Sequence, residues 1–135
     1  MNVLLADKSG SEGDQERNGV LRPTLQKLGA TVEDWDSANA SVVTGTCLLL
    51  AHSTTRTTAE SDTILPNCAK QGATVVLYSG GGEAIVRDDS FGTGRILKMN
   101  WNVLKQVIEQ LANGFDLALF HSAVDSMQTR HVINA

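Results

Sequence analysis

Three runs of consecutive apolar residues constrain this chain more than anything else in it. They are Val3-Leu4-Leu5-Ala6, Cys47-Leu48-Leu49-Leu50-Ala51 and Thr74-Val75-Val76-Leu77-Tyr78. A strand with one wet face alternates apolar and polar residues, because successive side chains point to opposite sides. A strand that is apolar throughout needs cover on both faces, as in a parallel sheet between layers of helices. With 135 residues, the chain has room for one such domain and can bury its core without disulfides or metal.

The segments between these runs carry helical signals. Val20, Leu21, Leu25 and Leu28 recur at helical spacing, and Gly29 suits the C-terminal cap. Pro23 falls inside this segment, which implies a kink there or a shorter helix starting at Pro23. Ile64, Leu65, Cys68 and Ala69 form a second helical face closed by Gly72 and interrupted by Pro66. Asn102 is expected to cap the clearest helix, whose face is Val103, Leu104, Val107, Ile108 and Leu111, closed by Gly114. Thr31 to Trp35 reads as an edge strand, and Arg95 to Lys98 as a short last strand. Asp36 to Thr46 is weakly patterned, with room for one short helix. Ala84, Ile85 and Val86 could open another, with loop from Asp88 to Gly94.

Gly29-Ala30-Thr31-Val32 recurs as Gly72-Ala73-Thr74-Val75. Each copy closes a helix and opens a strand, the joint of a repeating βα unit. The expected architecture is an α/β three-layer sandwich with a central five-stranded parallel sheet in the order 2-1-3-4-5, a flavodoxin-like arrangement. It should occupy residues 1–113. Residues 114–135 form a C-terminal helical extension through Leu117, Phe120, Val124 and Met127. Those four residues could pack on the domain, or dock a partner or a second copy.

Composition excludes several classes of function. The net charge is −4 and no basic run occurs, which argues against nucleic-acid binding. No stretch is long enough to cross a bilayer, and the apolar start lacks a charged leader, so a cytoplasmic location is expected. Cys47 and Cys68 each lie in apolar surroundings without Cys-x-x-Cys spacing and read as buried hydrophobes, with a disulfide as the lesser alternative. Dinucleotide-binding, P-loop, Gly-x-Ser-x-Gly and metal-binding patterns are absent. Neither metal nor cofactor is expected.

Functional residues of open parallel sheets collect at the carboxyl ends of the strands. Asp7, His52, Ser79 and Lys98 hold those positions. Each has a plainer role available: a loop-capping carboxylate, a loop hydrogen bond, a flexible turn and a solvated surface cation. Ser79-Gly80-Gly81-Gly82 could also cradle an anion through backbone N–H groups.

The order of these residues resembles that of response-regulator receiver domains. Leu4-Leu5-Ala6-Asp7-Lys8 is similar to the acidic first-strand motif, with Lys8 replacing its second acid. Leu48-Leu49-Leu50-Ala51-His52 places His52 where receivers carry the phosphoacceptor Asp. Val75-Val76-Leu77-Tyr78-Ser79-Gly80 matches the hydroxyl motif, and Arg95-Ile96-Leu97-Lys98-Met99 the lysine motif, with Met99 in place of Pro. Receiver chemistry needs a carboxylate nucleophile and Mg²⁺ on several carboxylate oxygens. The resemblance therefore implies a pseudo-receiver with no catalytic residue, signalling through a protein partner rather than by phosphorylation. Its expected contact surface is the last strand, the last helix and the tail, with a homodimer as a further option. The same fold could instead hold a small ligand or nucleotide at the glycine-rich loop. An enzyme with Ser79 or Cys47 as nucleophile and His52 as base is the third class.

Overall fold

The computed structural model describes residues 2–6, 12–35, 47–52, 60–80, 85–111, 114 and 116–133. Six strands form one sheet: β1 (Asn2–Ala6), β2 (Thr31–Trp35), β3 (Leu48–His52), β4 (Thr74–Ser79), β5 (Ile85–Phe91) and β6 (Gly94–Asn100). Their order is β2-β1-β3-β4-β6-β5, and every pairing is parallel except β5 with β6. The helices are α1 (Glu12–Lys27), α2 (Leu65–Lys70), α3 (Trp101–Glu109) and α4 (Leu117–Ile133). A single π-helical turn, Glu60–Ile64, leads into α2.

The unbroken apolar runs have the cause anticipated for them. All five residues of β3 and the first five of β4 are buried. Leu48, Leu50, Val76 and Tyr78 join a core with Leu21 and Leu25 of α1, Val107 of α3 and Phe120 of α4. Leu49, Ala51, Val75 and Leu77 join a second core with Leu65, Cys68 and Ala69 of α2. Alternate residues of one run thus feed two cores on opposite faces. Cys47 and Cys68 are buried thiols, each pushed above its ordinary pKa by burial.

The repeated tetrapeptide has a mechanical basis. Ala30 N donates to Leu25 O and Gly29 N to Gln26 O; Ala73 N donates to Cys68 O and Gly72 N to Ala69 O. Both sets are the paired bonds of a Schellman C-cap, with glycine in the left-handed region at φ 93° and 108°. The α1 helix runs unbroken through Pro23, so no second helix starts there. The Thr24 hydroxyl donates to Val20 O in that turn. Asp36 to Thr46 lies outside the described residues.

Two expectations need correction. Residues 85–91 are a strand, not a short helix followed by loop. The sheet therefore has six strands rather than five, and its order ends 4-6-5. A two-residue turn, Gly92-Thr93, folds β5 back along β6, with Gly92 at φ 64°. The crossover from β4 to its parallel neighbour β6 is thus made by a strand lying along the sheet edge. Charged Arg87, Asp88 and Asp89 suit an edge exposed to water. Second, the cap of α3 is Asn100, whose Oδ1 accepts from Val103 N at 2.9 Å. Asn102 is already inside the helix, because β6 passes into α3 without a loop.

The C-terminal helix shares the main core. Asp116 caps α4 by accepting from Ala118 N at 2.7 Å. Phe120, Ala123, Val124 and Met127 are buried with α3 and β6. The apolar face of the extension is therefore covered by its own domain. No helix among the described residues is long and apolar enough to cross a membrane.

On the other face, β6 and α2 approach so closely that Gly94 has no room for a side chain. A Cβ there would lie 1.6 Å from Ala69 O and 2.6 Å from Ala69 C, both backbone atoms. Gly94→Ala is expected to cost about 3 kcal/mol through overpacking, seen as a fall of about 10 °C in the melting midpoint. Gly19→Ala, in open space on α1, should instead stabilise by up to about 1 kcal/mol.

Candidate functional site

The strand order reverses between β1 and β3. From β1 the chain moves outward to β2, then returns to lay β3 on the other side. Ligands of open α/β sheets bind beyond the carboxyl ends of the strands at such a reversal. Ala6 ends β1 and His52 ends the neighbouring β3. Asp7, Lys8, Gly81 and Gly82 lie outside the described residues.

His52 is 9% exposed. Its ring meets the Tyr78 ring edge-on, at 5.4 Å between centroids and 85° between planes. Tyr78 lies 5.5 Å from Trp101, at the start of α3. The three rings form an aromatic step on the α1–α3–α4 face. Their positions follow from register, which sets His52 opposite Tyr78, and from the direct passage of β6 into α3.

Ser79 ends β4 and continues the face of Val75 and Leu77. Alternation therefore directs Ser79 and His52 to opposite sides of the sheet. A Ser79–His52 nucleophile–base pair does not form across that barrier. Lys98 is also not at a strand end. It pairs with Leu77, two positions before the Ser79–Asn100 pair, and is exposed. The edge thus brings His52 next to Tyr78, and Tyr78 next to Trp101, and it does not bring His52, Ser79 and Lys98 together. Cys47 precedes β3, at the opposite edge.

The densest polar cluster among the described residues was not singled out from the sequence. Arg95, at the amino end of β6, is 8% exposed. Its Nε donates to Asp88 Oδ1 at 2.7 Å and its Nη2 to Asp88 Oδ2 at 2.6 Å, a bidentate pair with β5. Nη2 also donates to Asp125 Oδ1 on α4 at 2.8 Å. Nη1 lies 3.3 Å from His121 Nδ1, and His121 Nε2 lies 2.8 Å from Thr74 Oγ1, which is fully buried. Gln128 adds a bond to Asp88.

The charges reinforce one another. The Arg95 hydrogen bonds hold the Asp88 carboxyl below its ordinary pKa. Hydrogen bonding to Asp88 raises Arg95 in turn, against the cost of burial. Burial, then the positive charge of Arg95, push His121 below the ordinary histidine value, against the attraction of Asp125 and Asp88. Thr74 is sealed from solvent, so its hydroxyl is not offered to a substrate. Its partners lie 7 to 47 positions apart in the chain, so no local motif marks it. Among the described residues, no three or more His, Cys, Asp or Glu side chains are arranged to hold a metal ion.

No protein-family model, curated protein or solved structure matches this chain.

Arg95→Met is expected to destabilise the fold by about 2 to 3 kcal/mol, at or below the bottom of the range for a broken buried pair because Asp88 keeps some solvent. Asp125→Asn, on a side chain 64% exposed, should change stability by less than about 1 kcal/mol. Urea denaturation of both variants reads the contrast.

Proposed function

We propose that this chain is a receiver-like protein-interaction module that works without phosphorylation. The observation that carries this reading is the surrounding of His52. The position that receivers give to an exposed phosphoacceptor carboxylate is held here by an imidazole, buried against Tyr78. An imidazole there offers no carboxylate for an acyl phosphate, and its burial keeps phosphodonors away. The parallel part of the sheet, β2-β1-β3-β4 followed by β6, supports the resemblance. The inserted edge strand β5 is where the chain departs from it.

The partner surface shifts accordingly. The last strand is interior, flanked by β4 and β5. Among the described residues, the outer edge of β5 pairs with no further strand, and on the outward side of α4 Leu119 is 53% exposed. Arg87, Asp89 and Asp125 make this surface polar and favour a partner that pairs with mixed charge over one that needs a large apolar patch.

The strand order favours a second reading, a small-ligand domain of the same fold. Its ligand would sit at the β1–β3 reversal, close to Ser79 and Gly80.

Incubation with acetyl phosphate and Mg²⁺ should leave the intact mass unchanged. A stoichiometric phosphate adduct would overturn the first reading. In a thermal-shift panel of nucleotides, flavin and inorganic phosphate, the first reading expects a constant midpoint. A ligand at 100 times its Kd would add about 2.7 kcal/mol and raise the midpoint clearly, which establishes the second reading.

A further inference from the structure

We infer that His121 is a pH-sensitive latch that fastens α4 to the sheet and loosens it on protonation. The inference stands on donor and acceptor geometry. A guanidinium only donates hydrogen bonds. Arg95 Nη1 faces His121 Nδ1 at 3.3 Å, so Nδ1 must carry the lone pair. The proton of a neutral ring then resides on Nε2, which donates to Thr74 Oγ1 at 2.8 Å. Both ring nitrogens are used, and the arrangement admits only the neutral Nε2–H tautomer. A second proton, on Nδ1, would set an N–H against the guanidinium, and the ring would lose that bond.

The groups facing the ring from each element packed against it are Arg95 on β6, Asp88 on β5, Thr74 on β4 and Asp125 on α4 itself. Both carboxylates already hydrogen-bond Arg95. They attract the ring's second proton, and that attraction is outweighed by burial and by Arg95. The ring also packs edge-on to Phe120, 6.4 Å between centroids, and Phe120 is fully buried in the main core. Loosening at His121 is thus passed directly to the apolar seam of α4, which includes Val124 and Met127. The latch does not rest on the proposed function: it stands on the hydrogen-bond geometry of His121 alone, although α4 also belongs to the proposed partner surface.

The direction with pH follows from the difference between the docked and released helix. In released α4, His121 titrates at its ordinary value of about 6.5. In the docked helix it titrates lower. The latch is therefore complete above about pH 6.5 and weakens as pH falls from there toward the docked value. Acidification should expose the seam formed by Phe120, Val124 and Met127, and with it the facing side of α3.

Amide hydrogen exchange tests this on the full chain. Between pH 7 and 5.5, after correction for intrinsic exchange, exchange in α4 should rise about tenfold, the limit that one unit below the released pKa permits. Exchange in α2, on the opposite face, should not change. His121→Gln keeps an acceptor and a donor on one neutral side chain and should abolish the rise. A rise that persists in H121Q would overturn the inference. Imidazole ¹⁵N NMR of the unaltered protein gives an answer that does not depend on a variant folding. It should show His121 as the Nε2–H tautomer at pH 7, titrating below the ordinary histidine value of about 6.5. An Nδ1–H tautomer, or titration at the ordinary value, would refute the latch.

Discussion

Burial of β3 and β4 on both faces is the constraint from which the rest of this structure follows. Each central strand offers apolar side chains alternately to two cores, so neither face can be left to water. Fully burying one aliphatic side chain is worth about 1.5 to 3 kcal/mol. Leu48, Leu49, Leu50, Val75 and Val76 together therefore demand two covering layers. The α2 helix supplies one, so tightly at β6 that only glycine fits at position 94. The other is supplied by α1, α3 and α4. The C-terminal helix is recruited by the same demand that shapes the sheet.

Covering a sheet with helices leaves polar groups to be satisfied where the layers meet. At the amino edge this falls to Arg95, which joins β5, β6 and α4 through Asp88, Asp125 and His121. A buried guanidinium is costly unless its donors are used, and here all three nitrogens have partners. The carboxyl edge is built differently. There the described polar residues are separated by the sheet itself, with His52 in an aromatic step on one side and Ser79 on the other. The two edges differ in build: one fastens the helix layer, and the other is the edge at which open parallel sheets generally bind ligands.

Much of the architecture was legible in particular residues. The aliphatic runs announced buried parallel strands, and the paired Gly-Ala-Thr-Val segments announced two equivalent helix-to-strand joints. Leu117, Phe120, Val124 and Met127 announced an amphipathic helix, but not whether its own domain or a partner covers that face. β5 was not legible. Val86-Arg87-Asp88-Asp89-Ser90 has neither alternation nor an apolar run, because an edge strand partnered on one side owes little to the core. It becomes a strand through pairing with β6, a property of the neighbour rather than of the segment. The candidate site was legible only as positions along the chain. Strand ends could be found from the apolar runs, but the face each side chain takes depends on register, and register is fixed between strands.

The amino-acid sequence by itself determined that this chain buries strands on both faces, where two of its helices stop, and that no acyl phosphate can form at position 52. These are local matters of side-chain volume, backbone freedom at glycine and functional-group chemistry. Tertiary structure alone decided that a sixth strand closes the sheet, that His52 and Ser79 face apart, and that Arg95 gathers Asp88, His121 and Asp125. Each of those depends on contacts between residues distant in the chain, which exist only once the layers have packed.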